Sequence, residues 1–157
     1  MQAERPMRDD EALAALQRRV RDSFARQAAM TTLGATLGAV APGRVSVRLA
    51  HQAALTQQHG YVHAGMLAAA LDSACGYAAF SLMPADAAVL TIEFKINLLA
   101  PAKGPLFRFD GMVLKPGRTI SVVEGRALQF DTEGGAEKLV ATMSATVMTV
   151  TGRDIRH

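Results

Sequence analysis

One segment limits the possible folds more than any other: residues 64–83, in which nearly every side chain is apolar or small. Pro84 follows directly and would end a helix there. A helix that is apolar on all sides must be covered on all sides. Asp72, near its centre, would cost roughly 2.5 to 3.5 kcal/mol in the middle of a bilayer, which alanine and glycine offset poorly. The segment therefore predicts a buried helix of a soluble domain and not a membrane span.

The rest of the chain predicts a sheet that packs against this helix. From Val89 onward apolar and polar residues alternate, which predicts a long, half-buried strand. On this pattern the buried face holds Leu90, Ile92, Phe94, Ile96 and Leu98, and the polar face holds Thr91, Glu93, Lys95 and Asn97. Further strands are predicted over residues 106–114, 119–130 and 138–150, and the turn sequences between them favour hairpins.

Three elements are predicted before the apolar helix. Residues 9–28 predict a surface helix with one apolar stripe. Extended segments at 32–40 and 44–51 flank a Pro-Gly turn signal and predict a hairpin. Together these elements predict an α+β fold in which a long antiparallel β-sheet is wrapped around a central apolar helix.

Composition removes several classes of function. The net charge is +3, but the basic residues are scattered and form no dense run of the kind that nucleic acid requires. One cysteine cannot form an internal disulfide, and charges interrupt the N-terminus where a signal peptide would be apolar. We therefore expect a cytoplasmic protein with no nucleic-acid partner and no membrane association.

Residues 57–65 and Asp72 carry the chemistry. Ala64 and Gly65 are small, so a ligand can approach the backbone where the loop enters the helix. The first helical turn there has unpaired N–H groups at the positive end of the helix dipole, which suits a developing oxyanion. Asp72 is the only carboxylate of the apolar helix, so burial should raise its pKa. It is a candidate general base or nucleophile.

Helix geometry separates these two groups. If the helix begins near Ala64, eight residues, or roughly 12 Å of rise, lie between that amide and Asp72. One carbonyl group cannot contact both. The two groups serve one substrate only if they come from different chains, which predicts a homodimer with shared active sites.

The spacing of Gln57, Gly60, His63, Ala64 and Gly65, with Asp72 nine residues after His63, resembles the Asn-x-x-Gly-x-x-His-Gly-Gly…Asp signature of the PaaI-like hotdog thioesterases of the 4HBT superfamily. Further matches to that family lie at residues 91–97, 101–102, 117–119 and 138–141. The resemblance covers roughly residues 32–150. It implies a hotdog thioesterase domain over residues 31–152, preceded by an N-terminal helical extension over residues 1–30.

The resemblance also implies roles. Asp72 would position or deprotonate the attacking water, or attack the thioester itself, with Thr91 assisting it and the amide of Ala64 forming the oxyanion hole. Gln57, His63 and Gly65 would bind the substrate, and His63 would shape the loop. The implied function is hydrolysis of an acyl-CoA thioester to free acid and CoA, without a metal or redox cofactor, in a homodimer that pairs into a dimer of dimers.

Two positions depart from the family pattern. Ala64 replaces the first glycine, and it keeps the N–H while its methyl group disfavours positive φ. Gln57 replaces asparagine and is longer by one methylene.

The cations predicted to meet the phosphates of CoA are Lys103, Lys115, Arg118 and Arg126, which fall at strand ends and turns.

Other functions stay open at this level. One is a non-catalytic acyl-thioester-binding or regulatory module, and another is a hotdog dehydratase acting on 3-hydroxyacyl thioesters. The dehydratase would need a histidine and an acid converging on the substrate, and no second motif supplies the histidine.

We interpret Cys75 as a small buried hydrophobe and not as a nucleophile. His59 and His63 lack the glutamate and third ligand of a zinc site.

Overall fold

The computed structural model describes residues 9–153 and residue 155. These residues contain three α-helices and six strands, with a single 3-10 turn at Ala53–Leu55. The helices are α1 (Asp9–Ala25), α2 (Ala28–Leu33) and α3 (Ala64–Phe80). The strands are β1 (Thr36–Ala41), β2 (Arg44–Ala50), β3 (Ala88–Leu98), β4 (Leu106–Lys115), β5 (Ile120–Phe130) and β6 (Lys138–Val150).

All six strands form one antiparallel sheet in the order β1-β2-β4-β5-β6-β3. Helix α3 packs against five of them, β2 through β6, and its last ten residues are buried except for Asp72. We call the face of the sheet toward α3 the inner face. This confirms the predicted α+β class, with the sheet wrapped around the apolar helix. Within the described part of the chain, no helix is both long and apolar enough to cross a bilayer.

Two glycines allow α3 to lie directly on the sheet. Gly111 of β4 and Gly125 of β5 are register partners on the inner face. A Cβ atom at Gly111 would lie 2.3 Å from the carbonyl oxygen of Ala74, and one at Gly125 would lie 2.8 Å from Sγ of Cys75. A side chain at either position would therefore displace α3 or its neighbours, so the glycines fix how close the helix sits.

Helix α1 covers the C-terminal half of α3. Val20 and Phe24 are buried, and the Phe24 ring lies 5.6 Å from that of Tyr77. The guanidinium of Arg19 donates to the carbonyl oxygens of Phe80, at 2.8 Å, and Met83, at 3.1 Å. The carbonyl oxygen of Phe80 also accepts the N–H of Met83, which lies three residues beyond α3, so Arg19 joins the end of α3 to the turn that follows it and places a cation at the negative end of the helix dipole.

The N-terminal boundaries differ from prediction. The first helix was expected to reach residue 28, but α1 ends at Ala25. A second helix, Ala28–Leu33, occupies the beginning of the strand predicted over residues 32–40. Gly34 ends this helix with φ 70°, a left-handed conformation that glycine adopts without strain, and β1 starts two residues later. Residues 1–8 of the predicted extension lie outside the described residues.

Strand β3 does not keep the predicted alternation, because a β-bulge interrupts it between Thr91 and Glu93. Thr91 pairs with Val147 and Phe94 pairs with Ala145, two inner-face residues buried beneath α3. Residues directly opposite each other on antiparallel strands point to the same face. Thr91 and Phe94 therefore share the inner face, and the prediction that Thr91 lies on the polar face was wrong. The prediction of a half-buried strand also fails for the single chain, since most of β3 is exposed.

Candidate active site

Asp72 and Thr91 meet where α3 crosses β3. Oγ1 of Thr91 donates a hydrogen bond of 2.7 Å to Oδ1 of Asp72. Burial raises the pKa of the Asp72 carboxyl, and the hydrogen bond from Thr91 lowers it in part. A carboxylate with a raised pKa is a stronger base than one in water, and the hydroxyl group fixes one of its two oxygens. The pair can therefore hold and deprotonate a water molecule, or orient the carboxylate for direct attack.

The start of α3 leaves one backbone donor unpaired. His63 is the N-cap, with extended backbone (φ −62°, ψ 138°), and its Nδ1 accepts the N–H of Gly65 at 2.9 Å. Its carbonyl oxygen accepts the N–H groups of Met66 and Leu67. Among the described residues, nothing accepts the N–H of Ala64. Of the first four amides of the helix, that of Ala64 is therefore the one left to bind an anion.

The capping bond also defines the state of the histidine. Because Nδ1 of His63 accepts a hydrogen bond, it carries no proton, and in the neutral ring the proton sits on Nε2. The sequence predicted only that His63 shapes the loop. In the structure, its side chain caps the first turn of α3. Gly65 is exposed, and its amide is already used by this cap.

Gln57 stabilises the loop in front of the helix. Its Oε1 accepts the N–H of His59, and its own N–H donates to the carbonyl oxygen of Tyr61 at 2.9 Å. Between them, Gly60 has φ 83°, a backbone conformation that glycine adopts without strain and other residues rarely adopt. The amide oxygen of Gln57 is therefore engaged within its own loop, which leaves its NH₂ group as the donor that it can offer a substrate.

Ala64 and Asp72 do not converge within one chain. Both lie on the uninterrupted helix α3, and eight residues at 1.5 Å each separate them by about 12 Å along its axis. The geometry predicted from the sequence thus applies to the observed helix. The groups that would bind an oxyanion and activate water are each present, but at different points along the chain.

The four cations predicted for CoA are spread over the molecule. Lys103 precedes β4, whereas Lys115 and Arg118 lie at its far end, about 30 Å away for a ten-residue strand. Arg126 is on the outer face, where it pairs in register with Asp110. The structure does not bring these four side chains together.

Cys75 lies on the side of α3 that faces the sheet, away from solvent. It is fully buried, and burial together with the charges of Asp72 and Glu124 raises the pKa of its thiol to about 12. A thiol in that state is protonated at neutral pH, and the thiolate is the nucleophilic form. This agrees with its interpretation as a buried hydrophobe.

Two surface grooves, of about 620 and 560 Å³, lie along β2 and β4. Both are lined by Arg48 and Arg108, whose charges are partly balanced by the ion pairs with Glu133 and Glu137. Neither groove contacts Asp72 or Thr91. The carboxylate lies instead beside the exposed inner face of β3.

Comparison with known proteins gives the class that this fold and site define. Residues 59–136 match the model of the thioesterase superfamily. A protein of Saccharolobus solfataricus that bears a provisional esterase name is 37% identical over 98 residues, which is 62% of this chain and 69% of that protein. The chain belongs to the thioesterase superfamily.

Solved structures agree with this assignment. A thioesterase family protein from Silicibacter pomeroyi is 53% identical, with a TM-score of 0.84 over 87% of this chain and 99% of that one. A conserved protein of Pseudomonas aeruginosa is 30% identical, with a TM-score of 0.72 over 79% and 94% of the two chains. The PaaI protein of Escherichia coli shares only 18% identity but has a TM-score of 0.80 over 90% and 97%. The fold is therefore the hotdog fold, as the PaaI-like resemblance predicted.

Proposed function

We propose that this protein hydrolyses an acyl-CoA thioester to a free acid and CoA. The observation that carries the proposal is the contact between Asp72 and Thr91, a carboxylate of raised pKa held by a hydroxyl group, in a chain of the thioesterase superfamily. The unpaired amide of Ala64 supplies the second requirement, a donor for the oxyanion.

The reaction follows from these groups. Asp72 takes a proton from water as the water oxygen attacks the thioester carbonyl carbon, and the amide of Ala64 donates to the resulting oxyanion. The intermediate collapses with cleavage of the carbon–sulfur bond, and Asp72 returns the proton to the departing CoA sulfur. Direct attack by Asp72 would instead break the carbon–sulfur bond, release the CoA thiolate and give a mixed anhydride, which water then hydrolyses to the free acid and the Asp72 carboxylate. Both routes use the same carboxylate and the same amide.

A second copy of the chain would complete the site. Strand β3 lies at the edge of the sheet, runs for 11 residues and exposes Phe94 and Leu98 on its inner face. Long apolar edge strands pair readily with other chains. Two β3 strands paired about a two-fold axis would bring the open sides of two sites together, so that Ala64 of one copy serves Asp72 of the other. We propose this homodimer, which pairs further into a dimer of dimers.

The setting follows from the same chemistry. The substrate that we propose is a small-molecule acyl-CoA, and no metal or redox cofactor has a role in the steps above. The single cysteine is a buried thiol, which suits the reducing cytoplasm that we propose as the site of action.

Release of free thiol from a panel of acyl-CoAs tests the carboxylate. We expect the wild type to turn over at least one substrate and Asp72→Asn to lose roughly 10²-fold or more in kcat, because a general base is removed. Asp86→Asn, at an exposed loop position, is the control and should be unaffected. Equal activity of Asp72→Asn and wild type would eliminate Asp72. Binding without turnover would indicate the binding module, and loss of water from a 3-hydroxyacyl-CoA would indicate the dehydratase.

Proline can remove the amide donor alone. Ala64 is the first residue of α3, where proline fits because its missing N–H has no helical partner, and the extended backbone of His63 is what a residue before proline prefers. Ala64→Pro should lower kcat by roughly 10² to 10³-fold without lowering the melting temperature. Ala64→Gly keeps the N–H and should retain most of the activity. An active Ala64→Pro enzyme would mean that another donor binds the oxyanion.

Mixed dimers test whether the two groups come from different copies. Co-expressed Asp72→Asn and Ala64→Pro chains should form dimers in which one of two sites is intact, and random assortment predicts recovery of about a quarter of wild-type activity. A single-chain site would give no recovery, because every chain would then lack one of its two groups.

A further inference from the structure

We propose that Gln129 is a positioning residue, whose side chain holds the connection between β3 and β4 in the place where that connection supports the amide of Ala64. This inference rests on the proposed function, because it gives the oxyanion donor a support that begins on β5. Gln129 is buried, and its register partner is Phe107, which alternation places on the same inner face as Gly111. A polar side chain buried there needs hydrogen-bond partners.

The connection from β3 to β4 crosses one end of the sheet. These strands are not neighbours, since β6 and β5 lie between them, so residues 99–105 must pass the ends of both. At β6 the backbone carbonyl of Val140 accepts the N–H groups of Leu99, at 2.8 Å, and Ala100, at 3.3 Å. At β5 the acceptor is a side chain. Oε1 of Gln129 accepts the N–H groups of residues 103 and 104, each at 3.1 Å.

The composition of this connection makes that single oxygen important. Pro101 and Pro105 have no N–H, and the N–H groups of Lys103 and Gly104 both donate to Gln129. The backbone also approaches the side chain closely, since a Cβ atom at Gly104 would lie 3.3 Å from Cβ of Gln129. Without the Gln129 oxygen, two N–H groups of the connection would lose their acceptor together.

The other side of the same connection holds the segment that leads into α3. Ala102 is buried, and its carbonyl oxygen accepts the N–H of Val62 at 2.8 Å. The next residue, His63, donates its N–H to the carbonyl oxygen of Leu55 at 2.9 Å. These two bonds hold the backbone directly before Ala64, so they set where the free N–H of Ala64 points.

Gln129 and Val62 bind opposite sides of one peptide group. The carbonyl of Ala102 and the N–H of Lys103 belong to the same peptide unit, which is planar and rigid. Gln129 accepts from its N–H, and Val62 donates to its carbonyl oxygen. A shift of this peptide group is therefore passed to the residues before Ala64. An error of about 1 Å in the position of a catalytic group can cost roughly 10²-fold in rate.

Thiol release by variants of Gln129 tests this role. Gln129→Met removes the acceptor and should lower kcat by roughly 10-fold or more, with little change in KM, because the oxyanion forms only in the reaction itself. Gln129→Glu keeps an oxygen acceptor on a side chain of the same length and should retain most of the activity. Gln17→Met is the matched control, since it removes a side-chain bond to the carbonyl of Val40 and should leave kcat unchanged.

A double variant separates positioning from a general loss of stability. Ala64→Pro has no donor left to position, so adding Gln129→Met to it should lower kcat little further. A merely structural role would give the same relative loss in both backgrounds, because independent effects add in free energy. Equal losses in the two backgrounds, or wild-type kcat in the folded Gln129→Met protein, would overturn the proposal.

Amide hydrogen exchange tests the same link without catalysis. In Gln129→Met the amides of Lys103, Gly104 and Val62 should exchange faster relative to those in the middle of α3, which report global opening. Unchanged relative exchange at Val62 would overturn the link between Gln129 and the start of α3. If Gln129→Met does not fold, Gln129→Asn, whose acceptor is drawn back by one methylene, replaces it in each measurement. Absence of hydrolysis by the wild type would overturn the proposed function, whereas exchange at Val62 would still decide whether Gln129 holds this segment.

Discussion

At one edge of the sheet, β1 is six residues long and is bulged between Leu37 and Val40. The side chain of Gln17 on α1 donates to the carbonyl oxygen of Val40 at 3.1 Å, so part of this edge is covered. At the other edge, β3 is 11 residues long, and Leu98, at its end, is 53% exposed. Both edge strands carry a bulge, so they differ in length and in cover: short, covered edges resist pairing with other chains, whereas long apolar edges promote it.

The outer face of β3 is not similarly apolar. Glu93 accepts a hydrogen bond from Thr146, and Lys95 donates to Asn97. The polar groups of this face are therefore satisfied within the chain, while the apolar inner face beside Asp72 is left without cover. The two edges therefore differ in their exposure. The β1 edge is the covered side, where α1 packs, and the β3 edge is the open edge, which contacts Asp72 through Thr91.

The largest effect should come from a charge on the open edge. Leu98→Lys places an ammonium group on the inner face of β3, which opposes pairing of two apolar edges. We expect a monomer by light scattering and a loss of roughly 10²-fold or more in thiol release, because the partner's amide is no longer supplied. Thr36→Lys makes the same change on β1 and should alter neither property. A dimeric, active Leu98→Lys enzyme would show that β3 is not the contact.

A smaller effect should come from the hydroxyl group that holds Asp72 at the open edge. The hydrogen bond from Thr91 favours the charged carboxylate, so Thr91→Val should raise the pKa of Asp72 further. Catalysis needs the carboxylate form, so activity increases as pH rises through that pKa. The acidic limb of the kcat/KM profile should therefore move to higher pH, with a several-fold loss on that limb. An acidic limb that stays in place would separate Thr91 from the ionisation of Asp72.

The smallest effect on activity is expected on the covered side. Arg19→Met removes two hydrogen bonds from a guanidinium to the end of α3 and should lower the free energy of unfolding by about 1 to 3 kcal/mol, measured by urea denaturation. The value is limited because Nε of Arg19 is buried without a partner among the described residues. Arg18→Met, at an exposed neighbouring position, is the control. A large loss of kcat/KM in the folded Arg19→Met protein would contradict the division of the molecule into a structural and a chemical side.

Much of the fold was predictable because its strongest signals are periodic. The all-apolar segment before Pro84 identified α3, and β6 has the predicted bounds Lys138–Val150. The six-residue helix α2 was not predictable, since so short a segment is held by its Gly34 cap and by packing and not by its own propensity. The bulge at Ile92 was equally invisible, because an extra residue in a strand changes pairing and not composition.

The site divides in the same way. Asp72 could be chosen from the sequence because it is the one carboxylate of an apolar helix, but its contact with Thr91 was implied only by family resemblance. Periodicity argued against that contact, since it assigned Thr91 to the other face. The capping role of His63 had no sequence signal, because histidine is not among the residues usually preferred at an N-cap.

The glycine pair beneath α3 has a genetic consequence. Ala74, which a side chain at Gly111 would displace, is only two residues after Asp72 on the same helix. A variant such as Gly111→Ala would therefore move the carboxylate relative to Thr91 without altering any residue of the site. A screen for inactive but folded variants should return this position alongside Asp72, although it lies on β4, three strands away from β3. More residues can therefore inactivate the enzyme when mutated than take part in the reaction.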